Sequence, residues 1–131
     1  MLKKSIVLLI LVFLTACQSG GSSTKLTVEL SDFSITPNQL SVPASAEIQI
    51  RVANQGTVEH NFYIMQYGMD VGDMFDEEDI ANAYWDVEVQ PDDSVDLIFT
   101  APDQPGTYQI VCGMPGHLQA GMVGTLVVVN K

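Results

Sequence analysis

Glu47-Ile48-Gln49-Ile50-Arg51-Val52 alternates polar and apolar side chains without a break. A period of two puts one face of a β-strand in a core and the other in water. The same alternation extends outward in both directions. Leu26, Val28 and Leu30 form a run before it, and Val58, His60, Phe62 and Ile64 share a parity after it. Val95, Leu97 and Phe99 follow, then Tyr108, Ile110 and Cys112, and finally Leu126 and Val128. Pro37, Pro43, Asn54-Gln55-Gly56, Pro91-Asp92-Asp93 and Pro102 to Gly106 separate the runs. Proline presets φ, and glycine and asparagine tolerate positive φ, so chain reversal costs little at these points. The pattern predicts an all-β domain, a Greek-key sandwich of seven or eight antiparallel strands. One segment, Gln66 to Ala83, breaks it. Its run Asp73-Met74-Phe75-Asp76-Glu77-Glu78-Asp79 places acids where they favour the start of a short helix, so residues 66–83 read as a partly helical insertion between strands.

The chain has 131 residues, enough for one small domain plus terminal segments, and two cysteines, too few for a disulfide scaffold. Sixteen acidic against five basic residues give a net charge of −11, which repels a phosphate backbone, so nucleic acid is excluded as a partner. Hydrophobic residues make up 47% and charged residues 16%, a balance that supports a packed core and not a disordered acidic polymer.

Lys3 and Lys4 precede an uninterrupted apolar run from Ile6 to Leu14, the basic and hydrophobic regions of an export signal. A membrane-spanning helix needs about 20 apolar residues, and this run is too short. Leu14-Thr15-Ala16-Cys17 resembles the lipobox of bacterial lipoproteins, which implies cleavage before Cys17 and lipid attachment to its thiol. The Gly/Ser-rich stretch that follows suits a flexible tether reaching roughly 15 Å. These features predict a signal peptide over 1–16, a lipid-anchored linker over 17–24 and a domain over 25–131. The protein is then exported and held at the outer face of the cell membrane or in the periplasm. Cleavage removes two basic residues, which leaves a mature charge of −13 and Cys112 as the domain's one thiol.

Cys112, His117 and Met122 are spaced C-x4-H-x4-M, and the other histidine, His60, sits on an apolar strand face. Taken singly, each has an ordinary structural reading: a core imidazole, a buried thiol, a core-filling thioether. Taken together they are a soft thiolate, two imidazoles and a weak thioether, a set suited to copper cycling between two oxidation states. Zinc would favour a fourth strong ligand. Residues five apart lie about 140° apart on a helix and on opposite faces of a strand, so Cys112 and His117 meet only in a loop. Gly113, Pro115, Gly116 and Gly121 supply its bends. Cys112 then ends one strand, Met122 begins the last, and His60 comes from a neighbouring strand.

The segment from Pro105 through His117 to Leu126, with His60-Asn61, resembles the cupredoxin family of small blue-copper proteins. The Cys-to-His loop is nearest in length to the auracyanin- and rusticyanin-like branches and longer than in plastocyanin. The resemblance implies a Greek-key sandwich over roughly Leu26 to Asn130 and one type 1 copper ion held by His60, Cys112, His117 and Met122. It further implies that the Asn61 side chain ties the two ligand segments and that a nearby backbone N–H donates to the Cys112 sulfur. Met114, Pro115, His117 and Leu118 would form an apolar electron port. The implied role is electron transfer by a monomer that docks transiently with redox proteins such as a cytochrome or an oxidase domain, with the acidic run Asp73 to Asp79 available to steer a basic partner.

Two rival readings stand beside it. Met65, Met69, Met74 and Met114 suit a copper carrier or storage lipoprotein, since thioethers bind Cu(I). An enzyme is disfavoured: a catalytic copper needs more histidines than the two present, a binuclear site needs a second cysteine, and a zinc hydrolase needs a general base where Glu59 points to the opposite strand face.

Overall fold

The computed structural model describes residues 21–131. The export signal, lipobox and Cys17 lie outside the described residues. Nine strands and one short helix follow in order: β1 Lys25–Ser31, β2 Ser34–Thr36, β3 Gln39–Pro43, β4 Glu47–Asn54, β5 His60–Met65, α1 Glu77–Ala81, β6 Ala83–Val89, β7 Ser94–Thr100, β8 Gly106–Val111 and β9 Val123–Val129. They form a four-stranded sheet, β2-β1-β4-β7, packed on a five-stranded sheet, β3-β9-β8-β5-β6. Just before β1, Ser23 N–H donates to the Ser41 carbonyl and the Thr24 carbonyl accepts from Gln49 N–H.

The expected alternation is realised most fully in β4, where Ile48, Ile50 and Val52 are buried and Glu47, Gln49 and Arg51 are exposed. They join Val28, Leu30, Leu40, Val42, Phe62, Ile64, Ile110, Leu126 and Val128 in one core cluster. Full burial of each such side chain is worth about 1.5–3 kcal/mol, so the two inner faces hold the sheets together.

Three expectations are corrected. The sandwich is not wholly antiparallel: β1 pairs with β4, and β3 with β9, in parallel. Periodicity reports which face of a strand is buried but not its direction, and here β3 lies in the opposite sheet, so the chain returns to β1 as β4 running the same way. Val58 lies before β5 and is 44% exposed, so the parity it shares with His60 does not bring it inward. On β7 only Phe99 is buried, while Leu97 and Ile98 are exposed, because this strand is the edge of its sheet.

The insertion does contain a helix, of five residues. Asp76 is its N-cap, accepting from the Glu78 and Asp79 amides, and the Asp79 carboxylate accepts from Asp76 N–H. This reciprocal capping satisfies amides that a helix start leaves without partners. The segment also packs inward, since the Phe75 ring lies tilted against Tyr63 with centroids 4.7 Å apart and Val71 is buried with Met65 and Val111.

Candidate metal centre

Cys112 immediately follows β8 and Met122 immediately precedes β9, so the two paired strands bring both ends of an eleven-residue loop together. Cys112 N–H donates to the Met122 carbonyl at 3.1 Å, and Met122 N–H to the His117 carbonyl at 3.0 Å. His117 N–H in turn donates to the Met114 carbonyl at 3.0 Å, and Gly121 N–H to the Leu118 carbonyl at 3.0 Å. The loop is thus closed on its own backbone. Gly116 and Gly121 have φ of 83° and 96°, the left-handed conformation that glycine adopts without steric cost.

β5 runs beside β8 and starts at His60, which places that imidazole against the loop. His60 Nδ1 lies 3.1 Å from His117 Nδ1, and the Cys112 sulfur lies 3.9 Å from the first and 3.4 Å from the second. A point equidistant from three atoms so separated is about 2.0 Å from each, close to metal–imidazole and metal–thiolate bond lengths of roughly 2.0–2.3 Å. The donors therefore fit a single ion without rearrangement. Among the described residues this is the one cluster of three or more His, Cys, Asp or Glu side chains placed to hold a metal. His60, Cys112 and Met122 are fully buried and His117 is 8% exposed. Met122 shares the core cluster with Cys112.

The surroundings favour the neutral forms of Cys112 and His117. Burial pushes the Cys112 thiol up, and the backbone N–H groups of Met114 and Asn61, both directed at its sulfur, partly oppose that. Burial lowers His117 below the ordinary imidazole value, the neighbouring His60 charge lowers it further, and Asp32 pulls the other way. Metal binding therefore displaces a proton from the Cys112 thiol. The Asn61 side chain accepts from Gly113 N–H at 2.5 Å, joining β5 to the loop directly behind Cys112.

The residues named for an electron port have different fates. Pro115 is exposed and Met114 half-buried against the core, but Leu118 packs into the Met65, Val71 and Val111 cluster. The sequence reading missed Phe33, 51% exposed, whose ring meets the His117 imidazole edge-on at 5.3 Å. It also missed Asp32, whose carboxylate accepts from His60 Nε2. Both sit in the two-residue turn between β1 and β2, and no spacing ties position 32 to position 60. Glu59 is not part of the donor cluster and accepts from Gln90.

A family model for a cupredoxin-like domain matches residues 4–128. The chain belongs to the cupredoxin-like family. Its His, Cys, His and Met donors make one copper ion its cofactor. Auracyanin-B of Chloroflexus aurantiacus is 32% identical over 105 residues, which cover 68% of this cupredoxin and 44% of that relative's length. A solved structure of dithionite-reduced auracyanin from the photosynthetic bacterium Roseiflexus castenholzii superposes with a TM-score of 0.72 at 29% identity, covering 83% of this chain and 99% of the other. Auracyanin A of Chloroflexus aurantiacus, described as a blue copper protein, has a TM-score of 0.60 at 23% identity over 80% of this chain and 99% of its own, a likeness of fold alone. Metal binding and electron transport are thus family properties.

Proposed function

We propose that this cupredoxin is a mononuclear type 1 copper electron carrier, exported and held at a membrane surface through Cys17. The observation that carries the reading is the buried triangle of His60 Nδ1, His117 Nδ1 and Cys112 Sγ, already spaced for one ion. Copper supplies the one-electron chemistry. The chain's part is to keep the donors in place and water away from them. The closed backbone of residues 112–122 and the Asn61 bond to Gly113 hold the donors on strand ends, so little reorganisation accompanies electron gain or loss. Met122, buried in the same core cluster as Cys112, would be the weak thioether donor that favours Cu(I). With His60 and Cys112 fully buried, the donors leave no position for a substrate, which supports a carrier and not an enzyme.

The visible spectrum of the oxidised, copper-loaded chain tests this. An intense thiolate-to-copper band is expected in the wild type and absent in Cys112→Ser. A colourless wild type refutes the reading. The storage alternative loses support from Met65, which is fully buried in an apolar cluster, whereas Met69 and Met74 are exposed.

The electron exits through the edge of His117, with Phe33 and Pro115 around it, to a transiently docked redox protein such as a cytochrome or an oxidase domain. A small apolar contact suits a complex that dissociates after each transfer. Lipid on Cys17 keeps the carrier near membrane-bound partners, and mass spectrometry of the mature chain showing an unmodified Cys17 would remove that part of the proposal.

A further inference from the structure

The β1–β2 turn touches both imidazoles from outside the donor set. Phe33, at φ 68°, lays its ring against His117, while Asp32 Oδ1 accepts the Nε2 proton of His60 at 3.2 Å. The Asp32 carboxylate is itself fixed. Thr57 N–H donates to Oδ1 at 3.0 Å and the Thr57 hydroxyl to Oδ2 at 2.7 Å. Gly56 makes the approach possible, because a Cβ there would lie 2.5 Å from Asp32 Oδ1 and 2.7 Å from His60 Nε2. Gly56 is held in turn by its N–H to Asn54 Oδ1 at 2.8 Å, and the buried Asn54 amide donates to the Val58 and Val89 carbonyls. Asn54, Gly56 and Thr57 thus support one carboxylate–imidazole contact.

We infer that Asp32 is a positioning residue for the metal centre: it keeps the proton of His60 on Nε2, aims the Nδ1 lone pair at Cys112 and His117, and biases the centre toward Cu(II). This rests on the copper reading above and adds to it a residue that tunes the site. A neutral imidazole carries its proton on one nitrogen only, and a carboxylate partner at Nε2 selects the tautomer whose Nδ1 is free to bind. In the metal-free chain, that tautomer leaves His117 Nδ1–H to donate across the 3.1 Å contact to His60 Nδ1. The negative charge lies just beyond one imidazole ring from the ion position and stabilises the more highly charged oxidation state.

Two measurements on the full chain test the inference, one of which does not depend on copper. In 15N NMR of the histidine-labelled, copper-free protein, wild type should show His60 as the Nε2–H tautomer. Asp32→Asn, which keeps an acceptor oxygen, should retain it, and Asp32→Ala and Gly56→Ala should give a mixture. In the copper-loaded protein, Asp32→Asn should raise the Cu(I) to Cu(II) affinity ratio about tenfold, an upward potential shift of about 59 mV for one electron. A His60 Nδ1–H tautomer in wild type, or an affinity ratio within twofold of wild type in Asp32→Asn, overturns the assignment. If Asp32→Ala fails to fold, Asp32→Asn and the wild-type tautomer still decide. A colourless wild type would sink the blue-copper reading, and the NMR result on the copper-free chain would then judge the Asp32 contact by itself.

Discussion

Replacing Asn61 with alanine removes the side-chain acceptor that joins β5 to the ligand loop, and the consequence can be worked from the structure. Asn61 is 9% exposed and its Oδ1 receives Gly113 N–H, the amide next to Cys112. The backbone N–H that Asn61 directs at the Cys112 sulfur is unchanged by the substitution. What is lost is one acceptor, and a half-buried amide left without a partner costs about 1–3 kcal/mol. With a urea m-value of about 1–2 kcal/mol/M for a domain of this size, the denaturation midpoint of the copper-free chain should fall by roughly 0.5–3 M. Because 1.4 kcal/mol corresponds to a factor of ten, the Gly113 amide should exchange with solvent deuterium about five to 150 times faster in Asn61→Ala. Asn61→Asp, which retains an acceptor oxygen, should keep most of that protection. A midpoint within 0.2 M of wild type (~0.3 kcal/mol) together with unchanged Gly113 exchange would show that the bond does not secure the loop, and the rigidity argument for the centre would lose its main support.

The acidic insertion is coupled to the same loop through Phe75. A Cβ on Gly113 would lie 2.5 Å from two Phe75 ring carbons, so Gly113→Ala should destabilise the chain by about 1–3 kcal/mol, and adding Phe75→Ala should remove most of that penalty. Additivity of the two changes within about 0.5 kcal/mol in a double-mutant cycle would deny the contact. The strongly negative charge also predicts that electron exchange with a basic partner slows as ionic strength rises, and a rate indifferent to salt would rule out electrostatic steering. Neutralising Asp73 and Glu77 is the sharper form of this experiment, because Asp76 and Asp79 are engaged in capping α1 and their replacement would confound folding with steering.

Much of this molecule is legible in one dimension because strand periodicity and metal-donor chemistry are local properties. The alternation around Ile48, Ile50 and Val52 announces a half-buried strand, and it is one. The spacing of Cys112, His117 and Met122 with intervening glycines announces a loop of donors, since no regular element brings side chains five apart together. The pairing of His60 with that loop needed only the observation that few soft donors were available. Burial was harder to read. Leu97 has the same alternating pattern as Ile50, its register partner, yet it is 38% exposed because β7 ends its sheet.

Chain direction and every contact across long sequence separations belong to the tertiary structure. Alternating hydrophobicity is the same whichever way a strand runs, so the parallel pairings β1–β4 and β3–β9 follow only from how the chain crosses between sheets. Asp32 and Phe33 look in sequence like a polar and an aromatic residue at a hairpin turn, and Gly56 like one more turn glycine. Their bearing on His60 and His117 arises because folding brings the β1–β2 and β4–β5 turns to the same end of the sandwich, where a missing Cβ leaves room for a carboxylate against an imidazole. Donor identity is a matter of side-chain chemistry and is written in the residues themselves. What surrounds the donors, and so sets their protons and charge, depends on distances that no linear spacing encodes.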